Sequence, residues 1–339
     1  MRHSRRAAAG WLGGLAALLV GASLWGATVG AADITPTAVG YIVLDRLGLV
    51  AYAPAGPFDR YIVLSLRLPR IALAATVGAA LAAAGAVMQG FFRNPLADPS
   101  IIGVSTGAAA GAVLFIVAGA VVPFGLPVAA LVGGLVTAFG VYLIATRDGR
   151  TPVATLLLAG VAVQAFLGAL ISLLMIRADD QGLRRAVYWL VGTLSGADWS
   201  EVAVVAAVTL VGFAVLASYG RDLNVLLLGE ADAHAVGVEV ERSKRVLLAV
   251  SSVLTGAAVM YVGVVGFVGL VVPHVLRLLV GPDHRFLLPT SAVGGAAFLV
   301  VADTIARAGP ETVPVGIVTA FVGAPFFLYL LRSREVYGL

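Results

Sequence analysis

Ten near-continuous hydrophobic stretches run along the chain, separated by short polar or Gly/Pro-rich segments. They fall at about 11–31, 67–90, 100–120, 124–145, 152–176, 201–219, 243–262, 265–280, 286–307 and 312–331. Most approach the roughly 20 residues an α-helix needs to cross a bilayer; the eighth is short and rich in glycine and proline. The pattern predicts an all-α polytopic membrane protein with ten transmembrane helices, organised as one domain over residues 1–339. Composition agrees, with 60% apolar residues, 12% charged residues and a mean hydropathy of +1.01, whereas soluble domains carry about a quarter of their residues charged. No stretch remains for a separate soluble enzymatic domain.

Charge sets the expected orientation. Arg2, His3, Arg5 and Arg6 precede the first apolar run, and Gly30-Ala31-Ala32 faintly resembles a cleavage site. The run is longer than a usual signal core and many spans follow, so a retained first helix with its basic end inside is expected. That orientation places 14 basic residues in cytoplasmic segments and 8 outside, the bias that membrane insertion favours. Arg332 and Arg334 then also fall inside, so both termini are expected to be cytoplasmic.

Several loops carry structural signals. Ile34-Thr35-Pro36 and Ala53-Pro54-Ala55-Gly56-Pro57 punctuate the outer segment from Asp33 to Ser65, which predicts a surface loop with a short helix. Asp179, Asp180, Arg184 and Arg185 precede Val187-Tyr188-Trp189-Leu190, an expected interfacial helix, and Asp198 is an expected N-cap of the sixth span. Glycine, with 41 copies, is abundant inside the spans. Gly103, Gly107 and Gly111 recur every four residues, a spacing that permits close helix packing in lipid or lines a path. Gly263, Gly266 and Gly269 recur every three and are followed by Pro273, which predicts an interrupted helix, shielded by neighbours or facing a cavity.

Candidate chemistry is sparse. The chain has no cysteine, and His3, His234, His274 and His284 are scattered, so no catalytic or metal site is expected. Gln89, Gln164, Asp303 and Arg277 lie in or near spans, but no acid lies mid-membrane where a proton or ion relay would need one. Energy for any transport is therefore expected from a partner. The informative polar stretch lies between spans six and seven, at about 228–240. Glu230, Ala231, Asp232, Ala233, His234, Ala235 and Val236 can form a short helix whose ends are set by Gly229 and Gly237. It reads either as a docking helix for a cytoplasmic protein or as a solvated connector.

The chain resembles the iron-siderophore, haem and cobalamin importer permeases of the ABC superfamily. The resemblance lies in Arg67-Leu68-Pro69-Arg70, Gly85 to Gln89, Arg93-Asn94-Pro95-Leu96-Ala97-Asp98-Pro99 and Gly103-Val104-Ser105-Thr106-Gly107-Ala108. It continues through Leu228-Gly229 to Gly237-Val238, Phe267-Val268-Gly269-Leu270-Val271-Val272-Pro273-His274, Gly281-Pro282-Asp283-His284-Arg285 and Val313-Pro314-Val315-Gly316-Ile317-Val318-Thr319-Ala320. The order is preserved from about residue 60 to the C-terminus.

This resemblance implies a homodimeric permease in a bacterial inner membrane, with the translocation path between the two copies. Two cytoplasmic ATP-binding subunits would use ATP and Mg, and an outside solute-binding protein would deliver cargo; this chain would bind no cofactor or nucleic acid and would not itself be an enzyme. It has no Gly-x-x-x-x-Gly-Lys-Ser/Thr phosphate loop. The segment from Gly229 to Gly237 is implied to be the coupling helix, and Arg67, Arg70 and Arg307 to meet acidic residues of the binding protein. Arg67 and Arg70 also read as interfacial anchors. The resemblance leans towards haem as cargo, with a ferric siderophore close behind and cobalamin less favoured.

Overall fold

The computed structural model describes residues 2–50 and 56–332. On the outer side of the expected topology, α1 (Arg2–Thr28) is followed by α2 (Pro36–Arg46) and α3 (Pro57–Tyr61), and a π-helical turn, Ile62–Arg67, leads directly into α4 (Leu68–Phe91). Next come α5 (Val104–Val117), α6 (Gly125–Ala145), α7 (Val153–Arg177), α8 (Asp180–Val191) and α9 (Trp199–Ser218). Two short helices, α10 (Gly220–Leu226) and α11 (Glu230–Ala235), precede α12 (Val240–Val262), α13 (Val268–Val280), α14 (His284–Ala306) and α15 (Val315–Arg332). Among the described residues there is no strand, only one isolated bridge between Arg147 and Arg150.

Among the described residues, seven helical runs are long and apolar enough to cross a membrane: α1, the continuous α3–α4 run, α6, α7, α9, α12 and α14. Three shorter apolar helices, α5, α13 and α15, occupy the remaining hydrophobic stretches. Local chemistry explains why these are short. Asp98 accepts from the Ser100 amide to start a 3-10 turn, Pro99–Ile102, and Gly103 at φ 85° then redirects the chain, so α5 begins at Val104. Pro314 precedes the first residue of α15, where the residue before helix needs no amide donor of its own.

The core is centred on α4. Of its 24 residues, 18 are buried, consistent with an apolar surface on every side. It packs against α9, α12, α13 and α14. Glycine sets how closely. A Cβ at Gly78 would overlap the Gly295 carbonyl of α14, and one at Gly85 would overlap the Gly269 carbonyl of α13. Gln89, fully buried, donates to the Leu270 carbonyl at 2.9 Å and so ties α4 to the first turn of α13.

The Gly103, Gly107 and Gly111 stripe is a packing surface. Gly107 lies against Thr137 and the Gly133 carbonyl, Gly111 against the Ala129 carbonyl, and Gly133 in turn against Gly107. This places α5 and α6 backbone to backbone. The interrupted helix expected around Gly263 is present as a non-helical segment from Gly263 to Phe267 between α12 and α13. Bonds frame it: the Gly263 amide donates back to the Val259 carbonyl at 2.8 Å, the Thr193 amide donates to the Val262 carbonyl at the end of α12 at 2.8 Å, and beside them the Gly316 amide donates to the Gly192 carbonyl at 3.3 Å. Gly192, Gly263 and Gly316 all meet carbonyls of this seam.

The expected cap at Asp198 is in place, and Asp179 forms another. Asp179 accepts from the Gly182 amide at 2.8 Å at the start of α8, and Asp198 accepts from the Ser200 and Glu201 amides at 2.7 and 3.0 Å at the start of α9. The outer segment holds two short helices, α2 and α3, where one was expected; the turn anticipated at Ala53-Pro54-Ala55 lies outside the described residues, as does Arg334.

Gly107→Leu should overpack α5 against α6 and cost on the order of 1–3 kcal/mol. Gly140→Leu, on α6 but with nothing within 4 Å of its added Cβ, should leave stability unchanged. Thermal unfolding of the two variants in the same detergent checks the contrast, and equal midpoints would remove the packing role of Gly107.

Candidate functional site

Two polar assemblies stand at opposite ends of the bundle. The outer one gathers Arg67, Arg70 and Arg307 around a cavity of ≈ 460 Å³ that also includes Phe58 and Leu66 in its wall. Arg67 ends the π-helical turn, Arg70 opens α4, and Arg307 follows α14. Asp303 of α14, only 1% exposed, accepts from Arg70 through Nε at 3.0 Å and Nη2 at 2.8 Å, and from Arg307 Nε at 3.0 Å.

The remaining guanidinium donors point at the C-terminal end of α1. Arg67 Nη1 donates to the Ala27 and Thr28 carbonyls at 2.7 and 2.9 Å, and its Nη2 to the Ala32 carbonyl at 2.5 Å. Arg307 donates to the Val29 and Gly26 carbonyls at 3.0 and 3.1 Å. The last carbonyls of a helix have no partner within it, and cations beside them also complement the helix dipole. Two arginines distant in sequence therefore cap one helix.

This corrects the expectation of freely presented guanidinium groups at an outer mouth. Arg67 and Arg307 are 5% and 8% exposed, and the Arg70 side chain is 13% exposed. Asp303 pairs with Arg70 and Arg307, while Asp33 and Asp59 are the carboxylates that act on Arg67.

The second assembly, on the side expected to be cytoplasmic, is built on α11. Gly229 and Gly237 adopt φ of 141° and 88°, conformations open to glycine, and bracket Glu230–Ala235. Ala231, Asp232, His234, Ala235 and Val236 face outward, while Ala233 is fully buried. Ala233 therefore faces its own chain rather than a partner. Leu228 and Val236 flank the helix as exposed apolar side chains, at 73% and 70%.

Behind α11, Lys244 of α12 is 3% exposed and pairs with Glu230 and Glu241. A second junction joins α10 to α14: the Asn224 amide donates to Asp283 at 2.7 Å, and its carbonyl oxygen accepts from the His284 backbone amide at 2.8 Å. Arg285 foremost, then Asn224, holds the Asp283 carboxyl down to about 2, below the ordinary carboxylate range. Neither Lys244 nor Asn224 stands out in the sequence, because their partners are brought to them by folding. Of the second glycine set, Gly263 and Gly269 are packed against neighbouring backbone, and only Gly266 has open space around it.

Residues 17–333 match the FecCD transport family. The cobalamin import system permease protein BtuC of Halobacterium salinarum is 51% identical, with 100% of both chains covered. The hemin transport system permease protein HmuU of Yersinia pestis is 45% identical over 81% of this chain and 84% of its own. A solved structure described as an inward-facing conformation of a metal-chelate type ABC transporter aligns with a TM-score of 0.81 at 31% identity, covering 95% of this chain and 98% of that one.

Arg307→Met removes the donors to Gly26 and Val29 and one of the two partners of buried Asp303. The expected loss is about 2–4 kcal/mol. Arg60→Met breaks a half-exposed pair with Asp45 at 2.6 Å and should cost under about 1 kcal/mol. Thermal midpoints of both variants in detergent test the cap; a loss at Arg307 no larger than at Arg60 would overturn it.

Proposed function

The chain belongs to the FecCD transport family and is a multi-pass ABC-importer permease for a chelated metal, siderophore, haem or cobalamin; from that premise we propose that its cargo is a corrinoid of the cobalamin class. The observation that carries this choice is the 51% identity to a cobalamin import permease across the whole of both chains. Haem, favoured by the local sequence motifs, is the second reading, supported by the 45% identical hemin permease. Both cargoes are large metal macrocycles, for which a wide path without a fixed ligand is sufficient when affinity resides in a delivering protein.

We further propose the assembly. Two copies of the chain enclose the path in the cytoplasmic membrane, with both termini inside, and two separate subunits hydrolyse ATP. The solute-binding protein docks over the outer cavity, drawn by the guanidinium groups of Arg67, Arg70 and Arg307 gathered in its wall. Charge of this kind acts chiefly on the association rate. On the inner face α11 seats in a cleft of the ATPase, with Leu228 and Val236 as its apolar contacts.

Uptake by the purified transporter with its binding protein, comparing labelled cobalamin, haem and a ferric siderophore, tests the cargo. Cobalamin transport is expected; uptake of haem alone would promote the second reading, and uptake of the siderophore alone would remove both. In the same preparation, binding-protein association should slow as salt screens the outer charge over about 8–10 Å, and a flat salt profile would sink electrostatic docking.

Val236→Asp places a charge on an exposed apolar contact and should weaken ATPase binding about 10-fold without changing thermal stability. Undiminished ATPase affinity in a pull-down titration would exclude Val236 from the dock.

A further inference from the structure

A helix of six residues does not hold its shape in water unaided, so α11 depends on what it touches. It packs on α10 and α12, with Ala233 fully buried. That apolar contact is non-directional and allows sliding. The directional contact is made by one side chain. Lys244 Nζ of α12 lies 2.7 Å from Glu230 Oε1 in the first turn of α11. It also lies 3.1 Å from Glu241 Oε1 and donates to the Thr151 carbonyl at 3.2 Å.

Thr151 belongs to the turn between α6 and α7, where its hydroxyl lies 2.9 Å from that of Thr146. A single ammonium therefore joins α11, α12 and the α6–α7 turn. The ammonium donates to Glu241 and to the Thr151 carbonyl and is ion-paired with Glu230, on a side chain only 4% exposed. Displacing α11 relative to the spans would take Glu230 from the buried ammonium and leave it only Glu241 and Thr151, which is costly. Displacing α11 together with them is not.

We propose that Lys244 is a positioning residue for energy coupling: through its bridge to Glu230 it transmits the movement of α11 to α12 and to the start of α7. The proposal rests on the reading of α11 as the ATPase dock. Glu241 plays a different part, since it sits on the same helix as Lys244, three residues away, and its pair leaves α11 untouched. α12 in turn packs on α4, α6 and α9, so a pull on Lys244 reaches the centre of the bundle.

The test uses the full transporter, with ATPase and binding protein, in lipid vesicles. ATPase affinity, ATP hydrolysis and cargo uptake are measured for Glu230→Gln, Lys244→Met, their double variant and Glu241→Gln. Glu230→Gln leaves Lys244 paired with Glu241 and Thr151, so it cuts the bridge without stranding the cation, and it decides the question alone if Lys244→Met does not assemble. The expected result for Glu230→Gln and Lys244→Met is ATPase binding within about 2-fold of native and cargo moved per ATP lowered about 5-fold or more. The double variant should be no worse than either single variant, and Glu241→Gln should match native.

An unchanged cargo-to-ATP ratio in Glu230→Gln, or an equal loss in Glu241→Gln, would overturn the proposal and leave Lys244 as an ordinary buried pair. Loss of ATPase binding in Glu230→Gln alone would make Glu230 a dock contact and overturn it as well. Failure of the native permease to bind the ATPase would instead overturn the reading of α11 on which the proposal rests.

Discussion

Within hydrocarbon there is no water to receive a backbone amide or carbonyl, so every such group must be satisfied by the protein itself. The arrangement around α4 follows from this. Apolar attraction between helices is weak where the solvent is equally apolar, and close backbone approach supplies the packing instead. Gly78 against Gly295 and Gly85 against Gly269 bring α4 into direct backbone contact with α14 and α13. The same constraint governs the break between α12 and α13. The non-helical stretch from Gly263 to Phe267 is framed by helical bonds, Gly263 to Val259 before it and Val271 to Phe267 after it, while the Thr193 amide takes the last carbonyl of α12.

Charge obeys the same rule at the two ends of the bundle. Outside, Arg67 and Arg307 satisfy carbonyls at the end of α1, while Asp303 holds Arg70 and Arg307 together across α4 and α14. Inside, Lys244 takes the Thr151 carbonyl together with two carboxylates. These cations join chain segments far apart in sequence, and each cluster also borders a cavity facing one side of the membrane. Structural and partner-facing roles are thus combined in the same residues. One surface offers arginines already engaged within the chain rather than free side chains, and the other offers a short helix held from behind.

This division suits a permease whose energy source lies in another subunit. The bundle needs no nucleophile, metal or relay of acids of its own. It needs a firm inner attachment, an outer surface complementary to its delivering protein, and spans that move when pulled. Lys244 and the Asn224–Asp283–His284 junction supply the inner connections, tying α11 and α10 to α12 and α14.

Much of this was legible in the sequence because membrane helices are encoded locally. Uninterrupted hydrophobicity marks each span, Gly and Pro mark its limits, and Asp198 marks a helix start through a side chain that reaches only three residues ahead. The interrupted helix at Gly263 was readable for the same reason, as was α11 between Gly229 and Gly237. The use of each charge was not. Nothing near Arg67 or Arg307 in the chain shows that its donors will meet carbonyls of α1, since Arg67 bonds across 39 and 40 positions and Arg307 across 281. Nor does a helical pattern of six residues show that Ala233 faces inward, or that Lys244 stands behind Glu230. Local hydrophobicity determines which segments become helices, because it acts residue by residue; which side chains are spent internally and which remain for a partner is decided only when distant helix ends meet and their unsatisfied polar groups find one another.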